Sequence, residues 1–148
     1  MFDPTSLTSP DPFPSPAEGR WQILAAVADL MFTAKISAAA KHAGCPVKFL
    51  QQEEKLIAAL AAQSVDIATL VIVDLNHLTL EPLRLIQRIR ESPHGAAVRI
   101  LAYLSHVQVD LKRAAEQAGC NLVLPRSVFS QNIQDILLGK SCHLEHLC

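Results

Sequence analysis

Residues 71–73 read Val71-Ile72-Val73, and Asp74 follows at once. Three β-branched side chains in a row are stiff at χ1 and suit an extended chain. Successive side chains of a strand point to opposite faces, so an unbroken apolar run has to be covered on both. Sheets covered on both faces are made of parallel strands joined by helices. Four more short apolar runs lack a helical period: Trp21–Val27, Pro46–Leu50, Val98–Leu104 and Asn121–Leu124. With Thr69–Val73 they make five candidate strands.

Helical stripes fill the gaps. Phe32, Ile36, Ala39 and Ala43 share one face, as do Leu56, Ile57 and Leu60. Leu83, Ile86 and Ile89 form a third stripe, and Leu111, Ala114, Ala115 and Ala118 a fourth. Phe129, Ile133, Ile136 and Leu137 form the fifth. These spacings are those of helices with one buried side. Gly44, Gly119 and Gly139 each follow a stripe, where a left-handed cap is wanted. Thr79 is expected to cap the third helix, with Pro82 in its first turn, and Ser127 or Ser130 the last. Strict β-α alternation predicts an α/β, doubly wound parallel sheet of five strands with five helices.

The chain has 148 residues, half of them hydrophobic, which is enough for one core. A net charge of -1 gives nucleic acid no basic face to meet. No run is long and apolar enough to span a membrane, and residues 1–20 lack the pattern of a secretory signal. A cytoplasmic location is expected, with Cys45, Cys120, Cys142 and Cys148 as reduced thiols. Cys45 and Cys120 read as small core residues. Five of the nine prolines fall within residues 1–20, so that segment is expected to be an extended leader. A proline-rich ligand is the sharper reading of it, but no flanking basic residue sets a docking direction. The expected layout is leader 1–20, domain 21–139 and tail 140–148.

Doubly wound sheets bind ligands beyond the carboxyl ends of their strands. Here those ends carry Val27-Ala28-Asp29, Asp74-Leu75-Asn76, Leu104-Ser105-His106 and Leu124-Pro125-Arg126. Asp74 is the leading candidate: a carboxylate at the sheet rim can accept a phosphoryl group. That chemistry calls for a divalent metal on hard oxygen ligands and a cation for the growing charge.

On these residues the chain resembles a response-regulator receiver domain of the CheY-like superfamily, in a degenerate, pseudo-receiver form. The resemblance spans Trp21 to Leu138. It rests on the βα order, Val71-Ile72-Val73-Asp74, Asp29-Leu30-Met31-Phe32, Ala118-Gly119-Cys120 and Pro125. It implies a flavodoxin-like strand order of 2-1-3-4-5. It also implies Asp74 as phosphoacceptor and, with Asp29 and the backbone carbonyl of Asn76, a weak Mg²⁺ site. The family's acidic pair falls on Val27 and Ala28, leaving Asp29 one place late. Its hydroxyl residue falls on Leu104, with Ser105 one place off. Its lysine falls on Leu124, with Arg126 two residues on, and its aromatic switch residue on Asn121. The developing charge is therefore expected to lack a fixed partner, unless a loop shift brings Asp29 and Arg126 into the site. No cofactor is firmly implied.

The expected function is a stand-alone, non-enzymatic signalling module working by protein contact. Its partner would be a histidine kinase or another signalling protein, and a homodimer is allowed. The family's output face, the fourth helix, fifth strand and fifth helix, would come from Val107 to Leu138. One alternative is a working phosphorelay regulator modified on Asp74. Another is a metal or thiol sensor built on Cys142, His143, His146 and Cys148. One crowded run at a chain end is a poor match for a zinc site, and a frayed tail is the plainer reading. A triad of Asp74, Ser105 and His106 is rejected, because adjacent residues on an extended chain diverge. No glycine-rich phosphate loop is present.

Overall fold

The computed structural model describes residues 21–63, 67–105 and 108–139. The proline-rich leader, His106, Val107 and the C-terminal Cys/His cluster lie outside them. The chain runs β1 (Gln22–Ala26), α1 (Leu30–Ala43), β2 (Val47–Phe49), α2 (Glu53–Ala61), β3 (Thr69–Asp74) and α3 (Pro82–Glu91). It continues through a 3₁₀ turn (Gly95–Ala97) to β4 (Arg99–Leu104), α4 (Val109–Ala118), β5 (Leu122–Pro125) and α5 (Arg126–Leu137). All strand pairs are parallel, and the sheet order is β2-β1-β3-β4-β5. This is the order expected, with β3 at the centre.

The strand period of two divides the core cleanly. Ile23, Ala25, Leu70, Ile72, Leu101, Tyr103 and Leu124 face α1 and α5, meeting Phe32, Ile36, Phe129, Ile133 and Ile136. Leu24, Ala26, Val71, Val73, Ile100, Ala102 and Val123 face the other way, onto Leu56, Leu60, Leu85, Ile86, Ile89 and Ala115. Val71 and Val73 thus lie on one face and Ile72 on the other, as an unbroken apolar run requires. Phe32, Tyr103 and Phe129 form a mutually stacked trio under the first face, with centroids 4.6, 4.9 and 5.8 Å apart. Cys45 and Cys120 are buried free thiols, and burial pushes Cys120 up to about 12.

Two expected caps are corrected. The third helix is capped at Glu81 with Pro82 in its first turn, and Thr79 sits in the preceding loop against the His77 ring. The fifth helix starts directly after Pro125, so Ser127 and Ser130 lie inside it. Proline holds the extended backbone that lets the helix begin at the next residue. Ser130 instead takes a hydrogen bond from Lys35 of α1. Two stripes also shift: Leu85 replaces Leu83 in the core of α3, and only Ala115 of α4 is fully buried.

Candidate functional site at the carboxyl edge of the sheet

Asp74 is the last residue of β3, and its carboxyl is half-buried. Its Oδ1 accepts the backbone N–H of Asn76 at 2.8 Å, which turns the chain out of the sheet. Burial lifts the carboxyl above its usual range, although the Asn76 amide and the charge of Arg126 pull the other way. Asp29 stands across the rim at the start of α1. Its Oδ1 caps the helix by accepting the Phe32 N–H at 3.0 Å, and its Oδ2 meets Arg126 Nη2 at 3.1 Å. The Phe32 amide, more than the Arg126 charge, holds Asp29 below the usual carboxylate value against the effect of burial.

The fold brings Arg126 to Asp29 at the rim. Because α5 begins at Arg126 itself, its side chain reaches back across the sheet edge. The guanidinium lies over the Phe32 ring, 5.0 Å from its centroid, and ends on Asp29. Stacking and a charge-assisted hydrogen bond fix it from two sides. Its charge also acts on Asp74.

The other rim residues do less chemistry. Val27 is fully buried while Ala28 faces outward, so the two positions of the expected acidic pair carry no oxygen donors in their side chains. Leu104 and Leu124 are buried on opposite faces of the sheet. Ser105 donates its backbone N–H (2.7 Å) and its hydroxyl (3.1 Å) to Asn76 Oδ1. The Asn76 side chain also donates to Gln108 at 3.1 Å. Asn121, where the resemblance expects an aromatic residue, serves the scaffold: its Oδ1 accepts from the Ile100 amide at 2.8 Å and from Arg90 at 2.7 Å. Among the described residues no three His, Cys, Asp or Glu side chains gather as metal ligands would.

Two site residues were missed from sequence. Tyr103 is paired with Asp74 across β3 and β4, and it is fully buried. Its hydroxyl makes no hydrogen bond of ordinary geometry. Burial first, then the charges of Asp74 and Asp29, push the phenol far up. Alternation along β4 would have placed Tyr103 on the same face as Leu101, but the charges near it come from β3, α1 and α5. His77 is the second. Its Nδ1 accepts the amides of Thr79 and Leu80, both at 3.2 Å. An Nδ1 that accepts leaves the proton on Nε2, which faces Gln51 Oε1 at 2.8 Å. Gln51 Nε2 in turn donates to the Val27 carbonyl at 2.7 Å. One His–Gln pair therefore joins the loops after β1, β2 and β3.

No family model and no curated protein matches this sequence. Solved structures do match its fold. A response regulator from Thermotoga maritima is 20% identical with a TM-score of 0.63, over 80% of this chain and 98% of that one. The chemotaxis response regulator CheY4 of Vibrio cholerae is 16% identical with a TM-score of 0.65, over 80% of this chain and 99% of that one. The Saccharomyces cerevisiae receiver domain of Ssk1, solved with the histidine phosphotransfer protein Ypd1, is 16% identical with a TM-score of 0.63, over 80% and 90%. The fold is that of response-regulator receiver domains.

Proposed function

We propose that the chain is a receiver-like signalling module that works by protein contact and does not use the phosphoryl chemistry associated with its fold. One observation carries this reading: both oxygens of Asp29 are engaged, one by the α1 amide and one by Arg126. Asp74 is then left without a second free carboxylate. Mg²⁺ demands near-octahedral hard oxygen donors and gives up its waters reluctantly. A guanidinium bonded to Asp29, with its charge also reaching Asp74, opposes it further. The donor set of Asp29, Asp74 and Asn76 does not fit that ion.

A signalling protein, of the kinase or phosphotransfer kind, is the partner class that goes with the fold. Contact would use α4, β5 and α5, together with apolar side chains left exposed around the rim. Leu30, Met31, Leu78 and Val109 are all more than half exposed. Among the described residues no helix is long and apolar enough to cross a membrane. A cytoplasmic site of action belongs to the same proposal, as does pairing of two copies through that face.

A second reading has one observation in its favour. Asp74 keeps a half-buried carboxyl with a cation near it, as an acceptor of a phosphoryl group would need. Intact mass after incubation with acetyl phosphate and Mg²⁺ separates the two. The contact reading expects an unchanged mass in a cooperatively folded chain. A one-phosphoryl increment that Asp74→Asn abolishes would overturn it and make Asp74 the working acceptor.

A further inference from the structure

We infer that Arg126 is the resident cation of this site: its guanidinium occupies the electrostatic place of a divalent metal and keeps metal out. The inference rests on the reading that the site does not use Mg²⁺, and it names the residue responsible. Arg126 is positioned from both ends. Its backbone opens α5, immediately after the extended Pro125, so its root is at the sheet edge. Its side chain crosses the face of Phe32 and delivers the guanidinium to Asp29 Oδ2 at 3.1 Å. Phe32 is itself buried and stacked on the Tyr103 and Phe129 rings, which pack the platform under the guanidinium.

Charge bookkeeping at the rim supports the assignment. Asp29 and Asp74 bring two carboxylates to one rim; the Arg126 guanidinium is bonded to the first at 3.1 Å, and its charge acts on the second. An arginine stays charged at any ordinary pH, and its planar fork suits a carboxylate. A hydrated divalent ion approaching Asp29 would have to displace a bonded, stacked group and overcome a like charge. The same contact ties α1 to α5 on one face of the sheet.

The test is Mn²⁺ binding to the full chain, read from the electron paramagnetic resonance signal of the free ion. Wild type and Arg126→Lys are expected to leave the free signal nearly undiminished. Arg126→Gln and Arg126→Met are expected to bind Mn²⁺ about tenfold more tightly or better, since a neighbouring charge shifts ionic equilibria by about one unit or more. Adding Asp29→Asn to Arg126→Gln is expected to return binding to the wild-type level. Methionine keeps an apolar stem on Phe32, so at least one neutral variant should melt cooperatively. If folded neutral variants bind no better than wild type, the guanidinium is not what excludes metal. If wild type already binds as tightly as they do, the inference also fails. Neither result depends on the phosphodonor experiment, so this inference can fail while the contact reading stands.

Discussion

At the scale of single residues, Tyr103 is the clearest case of a cost carried by the site. Its ring packs against both Phe32 and Phe129, with centroids 4.6 and 4.9 Å away. Its buried hydroxyl has no partner at ordinary hydrogen-bond geometry, although the Asp74 carboxyl is close enough to act on it. A buried hydroxyl left unsatisfied costs on the order of 1–3 kcal/mol. Phenylalanine keeps the stack and removes the orphan oxygen. Tyr103→Phe is therefore expected to stabilise the chain by about 1 kcal/mol, measured by denaturant unfolding. A loss of stability would mean that the hydroxyl has a partner after all. The candidate site was partly legible at this scale. Asp74 and Asp29 were readable because a lone acid beside an apolar run stands out. Tyr103 was not, since an aromatic within an apolar run looks like any other core residue.

At the scale of elements, the link from α3 to β4 depends on one arginine. Arg90 donates to the carbonyls of Gly119 (2.9 Å), Gly95 (2.7 Å) and Val98 (2.6 Å), and to Asn121 Oδ1 (2.7 Å). It thereby joins the end of α3, the 3₁₀ turn, the start of β4 and the α4–β5 connection. Gly119 has a φ of 120°, and a Cβ there would lie 2.7 Å from the Arg90 side chain. The glycine thus allows both the backbone turn and the close approach of the arginine. Arg90→Ala is expected to cost about 2–4 kcal/mol, because several carbonyls lose their donor at once. Arg90→Lys should recover little of that, since a point charge cannot reproduce the fork. Urea unfolding of both variants checks the claim, and a near-wild-type lysine variant would contradict it. Elements themselves were readable from period and punctuation. Their caps were less so: Thr79, Ser127 and Ser130 have the right chemistry, but the turn into α3 and the proline before α5 start those helices elsewhere.

At the scale of the whole molecule, His77 connects the rim to global stability. It ties three loops together as a neutral ring, with Nδ1 accepting two amides. Burial lowers its affinity for a proton below the ordinary value of 6.5, and the Asp74 charge offsets only part of that. Several charged groups on and beside the neighbouring helices are paired with one another: Glu53 and Glu54 with Arg88, and Glu81 with Arg84. Unfolded chain binds the proton more readily than folded chain as pH falls through this range. The His77 contribution is thus fully present above about pH 6.5 and is lost progressively as pH drops toward the folded-state value. Melting temperature is expected to fall between about pH 7 and pH 5, and His77→Leu should remove that part of the slope. A slope unchanged in the variant would assign it to other groups.

The sequence by itself determined the class of the fold and the order of strands and helices along the chain. Apolar runs of strand length, helical stripes and glycine caps are local patterns, and local geometry is enough to read them. It also determined that Asp74 stands at the carboxyl edge of a fully covered strand. Only the tertiary structure decided what Asp74 faces. Arg126, Asp29, Phe32, Tyr103 and His77 are spread from residue 29 to residue 126, and no spacing rule links them. They meet because parallel strands bring every carboxyl end to the same edge. The direction in which α5 starts then decides whether a cation reaches that edge. One residue of difference in where a helix begins redirects a side chain by about 100°, since a turn holds about 3.6 residues, and that is too fine a distinction for periodicity to make.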